Sequence, residues 1–419
     1  MKIIADLHLH SKYSRAVSRD MDLEHMALAS QRKGINILGT GDFTHPQWFE
    51  ELSSQLEPAE EGLYQLKNQN QKTENQVRFI ITGEISNIYQ RGGKTRRVHN
   101  VVVLPSLEAA QKINNALSWQ GNLKSDGRPI LGMDSEELLK IVLKIEPQAM
   151  FIPAHIWTPW FSVFGSMSGF DSLEEAFGGN TKYLSALETG LSSDPKMNWR
   201  ISALDKFTLV SNSDAHSPDN IGREANVFEI DLNYFSLREA IINKDPKKFL
   251  YTIEFFPEEG KYHYDGHRLC KVCMSPEERK KLNGLCPVCG KPLTVGVLSR
   301  VDELADREDG YIPSNAIPFK SLVPLREIIA EAFDCQVKTK RVREEYQNLI
   351  NRFPNEFYIL LEANKEELEK VTTTRIAEGI IKVREGKVEL EPGYDGEYGR
   401  VRSLSDKGKQ EAIIQEELF

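Results

Sequence analysis

Seven short runs rich in β-branched residues, at 2–9, 35–42, 77–85, 98–104, 149–154, 184–189 and 207–213, alternate with helix-length segments over the first part of the chain. That alternation is the pattern of parallel strands joined by helical crossovers, with both sheet faces covered. A candidate extra strand follows at 226–230. Six of the seven runs carry or adjoin a histidine, aspartate or glutamate at the C-terminal end. In a closed α/β barrel that end is the mouth, where loops converge and catalytic side chains collect. Core packing alone would not produce the recurrence.

The first run ends Asp6-Leu7-His8-Leu9-His10, which puts two imidazoles at i and i+2 on one face of a strand. Asp42, Glu84, His99, His155, Asp214 and His216 stand at later strand ends. With His45 included, six of the nine histidines fall at these ends or just beyond them, so the set reads as one site. Mixed nitrogen and oxygen donors suit zinc, manganese or iron and are wrong for a thiolate-type structural site. Two or three divalent ions held there would bridge a phosphate, acidify a water and stabilise a leaving oxygen. Phosphoester hydrolysis by a metal-activated hydroxide is the chemistry expected, with these eight residues as ligands.

Four of the five cysteines form two CxxC pairs, Cys270/Cys273 and Cys286/Cys289, separated by twelve residues. The spacing predicts a tetrahedral four-thiolate zinc site of ribbon or knuckle type, and Cys335 is left over as a small apolar residue. No apolar run approaches the ~20 residues of a membrane helix, and the N-terminus lacks the plan of a secretory signal. An intracellular, cytoplasmic and nucleoid-associated location with no membrane partner is expected. Composition breaks at 256–260, which divides the chain into a catalytic domain at 1–255, a zinc module at 256–300 and a mainly helical region at 301–419. In the last, 320–333 and 339–350 read as amphipathic helices, followed by a strand and helix near 357–371.

A net charge of −9 argues mildly against a nucleic-acid partner. Local charge says otherwise: residues 261–300 hold eight Lys or Arg, among them Lys271, against three Asp or Glu. Arg91, Lys94, Arg96 and Arg97 lie in a Gly-containing loop just before His99, and Trp157, Trp160 and Phe161 follow His155. Aromatic rings there would either stack on an extruded base or pack beneath a long loop.

The HxH strand, Gly83-Glu84, His99, Pro153-Ala-His155 and Ser213-Asp214-Ala-His216 together resemble the polymerase-and-histidinol-phosphatase (PHP) superfamily over about residues 1–250. The resemblance implies a distorted seven-stranded α/β barrel with a metal centre at its mouth, of zinc, manganese or magnesium. Two positions depart from the pattern. Arg15 stands where an acidic residue is common and reads instead as a clamp for a phosphate oxygen. Phe43 stands where a histidine is usual, so either Asp42 takes the ligand position, which is favoured, or His45 reaches in. With Ser11-Lys-Tyr-Ser-Arg15, Gly41-Asp-Phe-Thr-His45-Pro and the two CxxC pairs, the whole chain resembles the endonuclease Q family of DNA-repair nucleases. That resemblance implies cleavage of damaged DNA on the 5′ side of deoxyinosine, deoxyuridine or an abasic site. The terminal Gln415-Glu-Glu-Leu418-Phe419 is similar to the peptide by which bacterial repair proteins dock on the sliding clamp. Two rivals stay open: a small-molecule phosphatase of histidinol-phosphate type, and a non-catalytic DNA-binding adaptor.

Overall fold

The expected runs all become strands. In the computed structural model, which describes residues 1–67 and 76–404, they are β1 (Lys2–Asp6), β2 (Ile37–Gly39), β3 (Arg78–Arg91), β4 (Lys94–Leu104), β5 (Met150–Pro153), β6 (Leu187–Glu188) and β7 (Leu209–Val210). Three more follow: β8 (Ala225–Glu229) at the candidate extra strand, β9 (Phe249–Glu254) and β10 (Phe319–Ser321).

β1, β2 and β3 pair in parallel, as expected. β3 and β4 instead form an antiparallel hairpin registered from Ile81–Leu104 to Arg91–Lys94. The reason lies at its tip. Gly92 and Gly93 both adopt positive φ, and a two-residue glycine turn can join only antiparallel strands. β4 then pairs antiparallel with β5, and β6 pairs in parallel with β7. β8 lies antiparallel against the other edge of β1, followed by β9 antiparallel and β10 parallel. β6 and β7 form a two-stranded sheet of their own, while the main sheet is mixed and, with Leu56–Pro58, Tyr64–Leu66 and Ile130–Leu131, has eleven strands among the described residues, where seven parallel ones were expected.

Two junctions between neighbouring strands rest on few backbone bonds. Ser185 N–H donates to Phe151 O at 3.0 Å and Ile156 N–H to Glu188 O at 3.0 Å between β5 and β6, and His10 N–H donates to Ala215 O at 3.1 Å between the ends of β7 and β1. Side chains tighten the second junction: Asn212 Oδ1 accepts from Leu7 N–H at 2.9 Å and Asp6 Oδ1 from Ser213 N–H at 3.0 Å.

Period-two alternation sorts the apolar residues into two layers. Ile3, Ala5, Leu7, Ile37, Ile80, Val101, Val103 and Ile152 pack on one face of the sheet, while Ile4, Leu38, Phe79, Ile81, Val102 and Phe151 pack with the helices on the other. Both faces are buried, so polar chemistry is confined to the strand ends.

The C-terminal region is helical, with Leu325–Ala332, Lys340–Arg352, Glu356–Leu361, Lys365–Glu369 and Thr374–Arg384. The strand expected near 357 is helix Glu356–Leu361. Asn355 caps it by accepting from Tyr358 N–H, and buried Glu356 takes Lys33 Nζ at 2.9 Å and Tyr346 Oη at 2.8 Å. These tertiary partners select the helix that the apolar run alone does not specify. No described helix is long and apolar enough to cross a membrane.

Candidate metal centre

Glu84, on β3, is the hub of the site. Its Oε1 lies 2.7 Å from His99 Nδ1 and 3.1 Å from His155 Nε2, while its Oε2 lies 3.3 Å from His10 Nε2. His8 Nε2 approaches the same carboxylate at 3.7 Å. Asp214 Oδ1 stands across from it, 3.1 Å from His10 Nε2 and 3.8 Å from His8 Nε2, and His216 follows Asp214. Three overlapping donor groups result: His8, His10 and Glu84; His10, Asp214 and His216; Glu84, His99 and His155. Seven of the eight expected ligands thus converge.

Asp42, the eighth, stands one layer back. Its Oδ1 holds His10 Nδ1 at 3.0 Å, and its Oδ2 accepts from Ser11 N–H, Ser11 Oγ and Ser14 Oγ. Both of its oxygens are thus committed to the back of His10 and to the Ser11 and Ser14 donors. His45 stacks on Tyr13 with ring centroids 4.6 Å apart and joins none of the three groups.

Glu188, on β6, does for His8 what Asp42 does for His10, with Oε2 2.9 Å from Nδ1. An imidazole whose Nδ1 is fixed by a carboxylate presents Nε2 to a metal, with orientation and basicity set from behind. The fit shows in what is left over: His8 Nε2, His10 Nε2 and Asp214 Oδ1 are buried close to one another and to Glu84, yet none of the three makes a well-formed hydrogen bond. Buried polar atoms are ordinarily paired, so divalent cations suit the vacancies in their bonding. Asp42, His155 and Asp214 all take positive φ, at 49°, 29° and 46°, a strained conformation that turns each chain sharply at its strand end.

The electrostatics agree with cation binding. Burial opposes charge on His8, but Glu188 and Glu84 outweigh it and hold its pKa well above the imidazole range. Burial likewise opposes charge on His10 and is outweighed by Asp42 and Asp214. Burial would raise Glu84, yet His99, Arg128 and His8 keep it well below the usual carboxylate value. His99, where burial dominates, is pushed down to about 4. The cluster therefore gathers protons on His8 and His10 to balance its carboxylates, and metal binding would displace them.

The residues expected to meet DNA divide. Arg15 is 78% exposed at the rim and pairs with Asp126 at 3.3 Å. Lys94 and Lys271 are exposed, and Arg97 lies 5.8 Å from the Phe161 ring. Arg91 is committed to Asp134, Glu136 and Ala176 O, and Arg96 to the Phe170 face and Gly169 O. Trp157 is 1% exposed, stacked on Phe164 with Nε1 donating to Asn198, so its base-contact expectation is not met and it packs beneath the loop, the other of the two roles expected. Trp160 and Phe161 stay partly exposed, the latter 4.7 Å from the His99 ring.

Three residues were missed from sequence. Glu188 had a signal, an acid at the end of an expected strand. Arg128 had none, since it sits in the connection between helix Leu107–Leu117 and strand Ile130–Leu131. The same connection carries Trp119, which is 89% exposed. His267 is the third. It joins Cys270, Cys286 and Cys289 in a tetrahedral-sized donor group, whereas Cys273 Sγ lies outside that group at 3.8 Å from Pro392 O. Three of the four expected cysteines are thus gathered with a histidine, while Cys273, opposite Gly266 in hairpin Asp265–His267/Val272–Met274, lies outside the group. Although desolvation opposes ionisation, the backbone N–H groups of Cys289 and Val288 and the His267 side chain bring the Cys286 thiol down to about 6. The clamp-like segment 415–419 lies outside the described residues.

Comparison with known proteins places this architecture. The family model of the MJ0043 C-terminal domain matches residues 324–387. The uncharacterized protein MJ0043 of Methanocaldococcus jannaschii is 33% identical over 272 residues, 62% of this chain but 33% of that protein, so the chain spans about a third of that relative's length. The uncharacterized protein YqxK of Bacillus subtilis is 29% identical over 96% of this chain and 99% of its own. The crystal structure of the lesion-specific endonuclease PfuEndoQ from Pyrococcus furiosus superimposes with a TM-score of 0.84 at 31% identity, covering 96% of this chain and 95% of that one. An endonuclease Q complex with a 27-mer duplex substrate carrying an abasic lesion at the active site gives the same TM-score and identity, over 97% and 98%. Fold and site together put the chain in the class of α/β nucleases. Within that class it belongs to the endonuclease Q family.

Proposed function

We propose that this chain is a DNA-repair endonuclease that hydrolyses the phosphodiester bond on the 5′ side of deoxyinosine, deoxyuridine or an abasic site. The observation that carries the reading is the donor cluster around Glu84, on a scaffold alike over nearly its whole length to a lesion-specific endonuclease. In this reading β1 to β7 are the staves of a distorted PHP-type barrel spanning 1–255, with a zinc module at 256–300 and a helical region at 301–419. His8, His10, Glu84, His99, His155, Asp214 and His216 hold two or three ions of zinc, manganese or magnesium, and Asp42 sets the orientation of His10. His267, Cys270, Cys286 and Cys289 hold a structural zinc.

When bound, the divalent ions supply an acidified water and stabilise charge on the leaving oxygen. The water oxygen forms the new bond to phosphorus while the bond to the 3′ oxygen of the preceding nucleotide breaks. That oxygen takes a proton, which leaves a 3′ hydroxyl and a 5′ phosphate. The buried strand ends exclude bulk water and hold His8 and His10 in one orientation through Glu188 and Asp42. The exposed rim, with Arg15, Lys94, Trp160 and Phe161, receives the duplex, and a damaged base that pairs poorly costs less to extrude into it. A nucleoid-associated location fits such a substrate.

The test is cleavage of end-labelled duplexes carrying one deoxyinosine, deoxyuridine or abasic site, with manganese or magnesium. A nick immediately 5′ of the lesion, abolished in both His8→Ala and Asp214→Ala, supports the reading. Intact lesion DNA together with phosphate released from small esters overturns it.

A further inference from the structure

The connection between helix Leu107–Leu117 and strand Ile130–Leu131 returns across the donor cluster. Its backbone is clamped there: Gly127 N–H donates to Tyr13 O at 3.1 Å, and Thr44 Oγ1 donates to Gly127 O at 3.3 Å. A Cβ at Gly127 would come within 2.2 Å of Asp42 Oδ2 and 2.3 Å of Ser14 Oγ, so only glycine allows the approach. Asp126 then aims the next residue, accepting Arg128 N–H at 3.1 Å while also holding Arg15.

Arg128 Nη1 lies 2.9 Å from Glu84 Oε2, and its side chain is 25% exposed, so it reaches the hub from the open side. Among the described residues it is the lysine or arginine that pairs with a carboxylate of the donor groups. Arg15, at the rim, pairs with Asp126 instead. A guanidinium in this position is paradoxical for a site built to hold dications, because unit charges ~4 Å apart repel by several kcal/mol near a protein surface. With cations bound, an arriving anion offsets that repulsion, and the guanidinium has further N–H donors besides the one on Glu84.

Resting on the endonuclease reading, we propose that Arg128 is a catalytic residue that contacts a non-bridging oxygen of the scissile phosphate. It transfers no proton. As the water oxygen bonds to phosphorus, negative charge grows on the non-bridging oxygens, and Arg128 offsets that growth as the bond to the 3′ oxygen breaks. Preorganised charge of this kind acts on the transition state more than on substrate binding.

The experiment compares wild type, Arg128→Gln and Arg128→Lys by single-turnover nicking of an abasic duplex with manganese, bound manganese and duplex affinity. Arg128→Gln is expected to slow nicking on the order of 100-fold, with manganese content and duplex affinity near those of the wild type. Arg128→Lys is expected to recover part of the rate, since it restores the charge without the planar fork. A second arm measures inorganic phosphate binding to the manganese-loaded proteins, expected to weaken roughly tenfold in Arg128→Gln. A glutamine variant that nicks within about threefold of wild type, or that loses rate only in proportion to lost manganese, overturns the proposal. Unchanged phosphate affinity overturns it too, even where the wild type cuts no duplex, an outcome that on its own counts against the endonuclease reading.

Discussion

Glu188 stands directly behind His8, with Oε2 2.9 Å from the imidazole Nδ1, and the same oxygen accepts the His155 backbone N–H at 2.8 Å. One carboxylate therefore sets two of the cluster's histidines, a side chain in one case and a backbone in the other. Its remaining oxygen takes Asn212 Nδ2 at 2.8 Å, which ties it to the segment after β7 that carries Asp214.

Glu188→Ala is expected to weaken manganese or zinc loading by ~10–100-fold, the usual cost of removing a carboxylate behind a ligating histidine. Metal retained after dialysis against graded chelator reports it. Glu188→Gln should lose less, because the amide oxygen still accepts from His8. Equal retention in all three proteins would contradict the orienting role.

The cysteine module gives a test that separates two ligand sets. Cys286→Ser and His267→Ala should each release the zinc of that module, about one ion per chain, as read by a colorimetric chelator. Cys273→Ser should keep it. Release from Cys273→Ser with retention in His267→Ala would restore the four-thiolate arrangement.

Trp157 and Trp119 should behave as opposites. Trp157→Ala empties a buried site and is expected to cost ~3–5 kcal/mol of stability, seen as a large fall in Tm. Trp119→Ala should leave Tm unchanged and weaken duplex binding by ~1–3 kcal/mol if the exposed ring stacks on a base. Fluorescence anisotropy of a labelled lesion duplex measures the second effect.

Buried Glu254 predicts a pH dependence of stability. Burial pushes its carboxyl from 4.5 up to about 8, against hydrogen bonds from Thr252, Thr189 and Ser211. The folded state therefore keeps a proton that the unfolded chain has lost, so this contribution is full below 4.5 and disappears as pH rises through about 8. Thermal melts across that window should show Tm falling with pH in the wild type and falling less in Glu254→Gln. Parallel slopes would remove Glu254 as the cause.

Much of the architecture was legible because the periodicity carries it. All seven expected runs became strands, and the i, i+2 spacing of His8 and His10 does place both Nε2 atoms at one centre. What sequence could not specify is the direction a residue takes once the strand ends. Asp42, His155 and Asp214 turn at positive φ just beyond their strands, and Asp42 ends behind His10 while the other two face the cluster. Trp157 goes inward because Asn198, distant in sequence, offers its indole a partner. Arg128 reaches Glu84 only because Gly127 lets a surface connection press against Asp42. His267 joins the cysteines through a hairpin register that no spacing rule contains.

The parallel strand β10 lies on the outer edge of β9, with Thr252, Ile253 and Glu254 matched to Phe319, Lys320 and Ser321. A fragment ending before it would leave β9 with a row of unsatisfied amides and carbonyls facing solvent, a template for pairing with another molecule. Shortened versions of this protein that stop after the cysteine module should for that reason be recovered as aggregates, and the helical region acts as the guard on that edge.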